Sequence, residues 1–455
     1  MRFGPPLLAL GLLAAALVPP PALAQQGGPA PAGREAPAEP RVLTLEAAER
    51  LLVERNLAVI AARRGVDAAR AQRIVASSPP PAQFAVGNSF LQFQETPAGR
   101  ITRPRGYGPS HNISTTLTVI VELGGKRTLR TRLAEENIGV AEAQVLDALR
   151  TQLFELRQGF INALAARANL ELALANRLSL DRTEALLRRR VRDGAMAEAD
   201  LLRFQASRVP FDAEVASAAQ AYTAAVAALA AILAADAAER RNAPVRIGGL
   251  ALDLPFEPRG RFEQAPEPPL SREELAEAVQ NRPDVVAALR QAAAAGANRS
   301  LAEAARWRDV TISAGYGRSR LPQDLPTLPG GATAFANNEF RIEFGIPLFT
   351  RRIVEGQIGV ATHEAARAEA EARAALLRAR ADFATAWSQV EQARAQLRLY
   401  TSGALARAEQ AYRATEAAYL AGAATLIDVL DALRTRNATR LAANEARAAY
   451  LRALA

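Results

Sequence analysis

This sequence predicts a mainly α-helical chain with a small β part: long coiled-coil hairpins joined to four β-strands of membrane-spanning length, in two copies of one plan. Three observations predict it. From Arg351 onward Leu376, Phe383, Val390 and Leu397 recur every seven residues, and after one step of eight the stripe continues through Leu405, Tyr412 and Tyr419, which is a coiled-coil seam. Elsewhere, four short stretches alternate apolar and polar residues with period two, as strands do. Finally, landmarks of the first half return in the second at an offset of 227 or 228: Arg55-Asn56 as Arg282-Pro283, Gly194 as Gly422, Asp200-Leu201-Leu202 as Asp428-Val429-Leu430. An offset that steady means an internal duplication.

Residues 1–24 read as a Sec signal peptide, with Arg2, an apolar run from Leu7 to Val18, and Ala22-Leu23-Ala24 before Gln25. The run is too short for a membrane span. With no cysteine, the expected mature chain has no disulfide, no thiolate metal site and no acceptor for lipidation. Residues 25–43, rich in Pro, Gly and Ala, predict a disordered arm.

The first repeat covers 44–236. Thr44 to about Ser77 has helical spacing and stops at Pro79-Pro80-Pro81, which a helix does not cross. The period becomes two over 83–93 and 113–123, where Ile113, Thr115, Leu117, Val119, Val121 and Leu123 oppose Ser114, Thr116, Thr118 and Glu122. Lys126 to about Arg192 predicts a long helix, broken at Asp193-Gly194 and resumed to about Ala237. Dense proline marks 237–270 as an equatorial linker.

The second repeat, 271–455, predicts a helix to about Trp307 and strands at 309–318 and 338–348. A helical arm of about 68 residues follows from Arg351, on the order of 100 Å at ~1.5 Å per residue. Its tip lies near Gly422, and a last helix runs to Ala455. At that tip Gly422 suits a C-cap, Thr425 an N-cap, and Asp428 the carboxylate position of a capping box.

Composition narrows the function. Hydrophobic residues make up 49% of the chain, largely Ala, and aromatics only 5%, so the expected shape is elongated and bundle-like. The net charge is +9 and Lys126 is the only lysine; the arginines are scattered at helical spacing, as on solvated helix faces, without a nucleic-acid-reading motif. His111, in the loop between strands, and His363, on a long helix, have no motif around them. No catalytic, metal or cofactor site is expected.

Strands of about ten residues with one apolar and one polar face suit a transmembrane barrel. The same alternation suits a soluble sheet with one buried face; the long helices and the signal peptide favour the barrel. Open sheet edges are not tolerated in hydrocarbon and the smallest barrels have about eight strands. Four per chain therefore predict an oligomer in outer-membrane lipid, and three copies give twelve strands.

Tyr419-Leu-Ala-Gly422-Ala-Ala-Thr425-Leu-Ile-Asp428-Val-Leu-Asp431-Ala432 and Gly194-Ala-Met-Ala-Glu-Ala-Asp200-Leu-Leu resemble the two tip motifs of the TolC-type outer-membrane efflux proteins. The resemblance runs from about Thr44 to the end. It implies a homotrimer with a twelve-strand barrel and a periplasmic helical tunnel, docked to a periplasmic adaptor (membrane fusion) protein and an inner-membrane RND-type pump. Such a protein is a passive duct, not an enzyme. Val121-Glu-Leu-Gly-Gly-Lys-Arg127 and Gly345-Ile-Pro-Leu-Phe-Thr-Arg351 further resemble the CzcC-like branch, which serves heavy-metal efflux. By the same resemblance Asp428 and Asp431 ring the pore gate, Asp200 and Tyr419 link neighbouring helices when it is closed, and Gly194, Gly422 and Thr425 are adaptor-contact tips. Ala424 stands where an arginine completes that link in the family. The plainer reading is that Asp200 and Asp428 cap helix N-termini, although Asp431 lies a full turn inside. The alternatives are a multidrug or type I secretion duct of the same fold, and a periplasmic coiled-coil adaptor, which needs only one hairpin.

Overall fold

The computed structural model describes residues 42–89, 111–235, 244–264, 266–324 and 332–455. The signal peptide and most of the arm lie outside these residues. The arm's last two residues, β1 (Val42–Leu43), pair in parallel with Glu257-Pro258.

The single helix expected from Thr44 is two, α1 (Leu45–Arg55) and α2 (Leu57–Ser77). Asn56 divides them, extended at φ −62, ψ 123. Its side chain accepts the Val59 N–H at 3.1 Å as N-cap of α2, and its amide donates to Gln152 Oε1 and to Ile232 O, both at 2.8 Å. A buried polar side chain is thereby satisfied, and it supplies a partner to a free carbonyl at the end of another helix.

β2 (Gln83–Ser89) and β3 (His111–Val121) lead into α3 (Lys126–Arg192). His111 thus opens a strand rather than sitting in a loop, and positions 90–93 lie outside the described residues. β3 ends two residues earlier than expected because the Leu123 N–H leaves the ladder and donates to Asp309 Oδ1 at 3.2 Å. α4 (Glu198–Ile232) returns along α3, and β4 (Val245–Ile247), β5 (Leu250–Leu252) and β6 (Glu257–Pro258) follow. The proline-rich stretch, expected to be a linker, sends Val245, Ile247, Leu254, Phe256 and Phe262 into the largest core, against Leu156, Phe160, Tyr222 and Val226. Burying these side chains, at about 1.5–3 kcal/mol each, makes the stretch part of the wall.

The second repeat runs α5 (Arg272–Ala278), a 3-10 turn, α6 (Pro283–Ala304), β7 (Val310–Asp324), β8 (Ala332–Gly345), α7 (Arg351–Leu399), α8 (Leu405–Leu420) and α9 (Leu426–Leu454). α3 and α7 begin at 126 and 351, α4 and α9 at 198 and 426, so the duplication holds element by element. β7 and β8 extend beyond the expected 309–318 and 338–348 at their far ends. β8 stops at Gly345, two residues before Pro347, which has no N–H for a ladder.

The arm expected to be one helix to the tip is interrupted. A π-helical turn, Tyr400–Ala404, separates α7 from α8, and Gly403 within it sits at φ 132, ψ −8. This is where the sequence steps by eight between Leu397 and Leu405. The wider turn takes up the extra residue, so Leu397 and Tyr412 are buried on either side of it. Further up α7 the seam is alanine, with Ala361, Ala365, Ala368, Ala372 and Ala379 all buried.

The junction from sheet to helices is pinned in several ways. Lys126 Nζ meets Asp309 Oδ1 at 2.8 Å. Arg130 donates to Ala76 O (2.9 Å), Ser78 O (3.1 Å) and Glu122 Oε1 (2.6 Å). Gly124 and Gly125 have φ 74 and 67, and a Cβ on Gly124 would lie 2.6 Å from Trp307 Cδ1, while one on Gly125 would meet nothing. Both Gly124→Ala and Gly125→Ala incur the left-handed backbone strain of about 1–2 kcal/mol, but only the first also displaces an indole. Gly124→Ala should therefore lower the thermal midpoint of the detergent-purified protein more than Gly125→Ala, as read by circular dichroism, and adding Trp307→Ala should shrink the difference.

Candidate functional site

The four long strands form one antiparallel sheet in the order β2-β3-β7-β8, so β3 against β7 joins the two repeats and β2 and β8 are its edges. Register sorts the side chains into two faces. On one face the rows read Val86, Thr115, Tyr316, Phe340, then Phe84, Leu117, Ala314, Ile342, then Val119, Ile312, Phe344. On the other they read Gly87, Ser114, Gly317, Glu339, then Ala85, Thr116, Gly315, Arg341, then Gln83, Thr118, Ser313, Glu343. Among the described residues nothing covers the apolar face: Phe340 is 83% and Ile342 71% exposed. Within β8 the apolar positions Phe340, Ile342 and Phe344 span about 14 Å at ~3.4 Å per residue, against about 25 Å for an outer-membrane apolar band. The Tyr316 and Phe340 rings lie tilted at 46° with centroids 5.0 Å apart, and Tyr316 Oη donates to Asn338 Oδ1 at 2.9 Å.

At the opposite end both hairpins turn in the same way. Gly194 (φ 68) and Gly422 (φ 79) close Schellman motifs, through Gly194 N to Val191 O and Ala195 N to Arg190 O in one, and Gly422 N to Tyr419 O and Ala423 N to Ala418 O in the other. The starts of the return helices differ. Thr425 and Asp428 form a full capping box: Asp428 Oδ2 accepts from Thr425 N at 2.8 Å and Thr425 Oγ1 at 2.7 Å, while Ala197 gives α4 no side-chain cap. The Thr425 hydrogen bonds hold the Asp428 carboxyl below the usual aspartate range. Its capping contribution is present above the ordinary aspartate pKa and is lost as pH falls through the lowered one.

Leu180, Leu187, Phe204, Phe211, Tyr412, Val429, Leu430 and Leu433 form a core that draws the two tips together. A groove between them is lined by Asp200, Tyr419, Gly422, Ala424 and Thr425 with Arg190 and Arg203. Asp200 pairs with Arg203 at 3.6 Å, and the Arg190 guanidinium lies 5.6 Å from the Tyr419 ring centroid. Where Ala424 offers no charge, the first hairpin supplies two. Gly194 does not line this groove, nor do Asp428 and Asp431; Asp431 pairs with Arg434 at 3.3 Å on the exposed side of α9.

Two clusters behind the tips escaped the sequence reading. Arg208 contacts Asp181 and Glu184 at 2.5 Å and Asp212 at 3.2 Å, and Glu184 also accepts from Arg188 and Gln205. The hydrogen bond from Gln205, with those from Arg208 and Arg188, holds the Glu184 carboxyl below the usual range. The four-residue spacings of Glu184 to Arg188 and of Arg208 to Asp212 are its legible signs. Buried Arg436 lies 4.2 Å from the Tyr412 ring centroid and donates to Asn176 Oδ1 at 3.3 Å. Among the described residues no group of three or more His, Cys, Asp or Glu is placed to hold a metal ion.

Residues 275–455 match the family described as outer membrane efflux protein. The chain is 26% identical over 326 residues to the cobalt-zinc-cadmium resistance protein CzcC of Cupriavidus metallidurans, covering 70% of this chain and 69% of that one. Its fold is similar to that of CusC, with a TM-score of 0.68 at 18% identity over 90% of each chain. It is also similar to the Campylobacter jejuni CmeC outer membrane channel, with 0.67 at 16% identity over 90% of this chain and 83% of that one. Across its second repeat, then, the chain is similar to the outer membrane efflux proteins, and along nine-tenths of its length its fold is similar to those of CusC and the CmeC channel.

Proposed function

We propose that three copies of this chain form the outer-membrane duct of a tripartite efflux system, through which substrates pass passively to the exterior. The carrying observation is the sheet: among the described residues its apolar face is uncovered and its edge strands, β2 and β8, pair with no further strand. An edge in hydrocarbon leaves amides without partners at several kcal/mol each, so β8 of one copy closes on β2 of the next. Synthesis as a precursor cleaved after Ala24, with no lipid attached, fits this destination. The helical tips face the periplasm and meet an adaptor protein through Gly194, Gly422 and Thr425, and the adaptor meets an RND-type pump. Similarity to a cobalt-zinc-cadmium resistance protein supports heavy-metal cations as the substrate class.

At the entrance, Asp428 and Asp431 from three copies place six carboxylates around one opening, and crowded like charges attract cations. Asp200 and Tyr419 hold the tips closed, with Arg190 and Arg203 supplying the charge that Ala424 lacks.

Native mass spectrometry in detergent should give three copies, each beginning at Gln25; a monomer that still forms channels would defeat the closure argument. A deletion strain should lose tolerance to zinc, cobalt or cadmium ahead of tolerance to hydrophobic drugs, and the reverse order would assign the duct to multidrug export. In planar bilayers a trivalent hexammine cation added on the periplasmic side should block wild-type channels, and Asp428→Asn/Asp431→Asn should relieve the block. Asp200→Ala, Tyr419→Phe and Arg190→Ala should raise conductance while leaving the block in place.

A further inference from the structure

On the polar face of the sheet the charged side chains are confined to one strand. β8 carries Glu339, Arg341 and Glu343, while their ladder neighbours on β7 are Gly317, Gly315 and Ser313, and β3 and β2 contribute Ser, Thr, Gly, Ala and Gln in the same rows. Glu122, at the foot of the sheet, is already taken by Arg130. Glu339 and Arg341 pair at 2.8 Å, and among the described residues Glu343 has no ion pair. All three alternate with Phe340, Ile342 and Phe344, so they lie at the depth of the apolar band. On the lipid side an arginine at that depth costs about 2–4 kcal/mol, so this face turns to water. Small neighbours on β7 leave the three long side chains standing clear of the wall.

We infer that Glu339, Arg341 and Glu343 form a charged belt inside the barrel, a selectivity element for cations in transit that is separate from the tips. This rests on the duct reading. Each copy contributes two carboxylates and one guanidinium, so three copies leave a net charge of −3 spread over a band about 14 Å tall, four residues of strand. The belt is a field and not a coordination site. Its reach is the Debye length, about 8 Å at physiological ionic strength and about 30 Å at 0.01 M, so cation preference should grow as salt is lowered.

Reversal potentials in planar bilayers under a potassium chloride gradient test this, with trimer assembly of each variant checked in detergent. Glu343→Gln should lower the cation-to-anion permeability ratio by at least about twofold at low salt. Glu339→Gln/Glu343→Gln leaves three guanidiniums and should turn the preference toward anions, while Arg341→Gln should raise the cation preference. The same shifts should persist in an Asp428→Asn/Asp431→Asn background. Variants that assemble and conduct with the wild-type reversal potential at low salt would overturn the belt and leave the duct standing, as would shifts that vanish once the tip aspartates are gone. Failure of the wild-type protein to conduct at all would instead overturn the duct reading, and the belt with it.

Discussion

A backbone amide in hydrocarbon has no water to turn to, and the proposed duct follows from that constraint. Four strands with an apolar outer face present two edges, β2 and β8, that pair with no other strand among the described residues. Closure with other copies, as proposed, would satisfy them. In the proposed trimer, where the sheet is a segment of a barrel, the helices leaving it form segments of a wall. The repeats supply them in pairs, with α3 and α4 from the first and α7, α8 and α9 from the second.

Duplication then sets what has to match and what is free to differ. Both repeats need a left-handed residue where a strand hands over to a helix: Gly124 and Gly125 serve in the first and Phe349, at φ 57, in the second. Both need a Schellman turn at the tip, and both have a glycine there. The N-caps of the return helices diverge, Thr425 with a full box and Ala197 with none. The second tip is therefore the better-fixed of the two. The first is held through its neighbours, by the core around Phe204 and by Arg190 over Tyr419.

The parts visible in the sequence are those governed by a local period. Alternation at 113–123 and 338–348 matches the two faces of the sheet, because among the described residues no other element packs on these strands to override the period. The tip glycines and the Thr425–Asp428 box were visible for a similar reason, since their partners lie within five residues. Asn56 was not, because its partners Gln152 and Ile232 are distant in sequence. Arg190, Arg208 and Arg436 are spaced like members of solvated faces, and the meeting of separate helices brings them Tyr419, Asp181 with Glu184, and Tyr412 with Asn176. The stretch at 237–270 misled through its prolines, which signal a break in helix and say nothing about burial.

The π-helical turn at Tyr400–Ala404 gives the second arm two rotational phases. Above it an alanine seam faces inward; below it, after one residue too many for the heptad, an aromatic stripe does. A helix with an unbroken hydrogen-bond ladder carries torsion along its whole length. This arm is interrupted by a glycine outside helical backbone space, so it has one position where the ladder resists twisting least. α3, with 67 residues and no such interruption among them, is the stiff member of the wall, and α7 with α8 is the member whose ends are free to turn by different amounts.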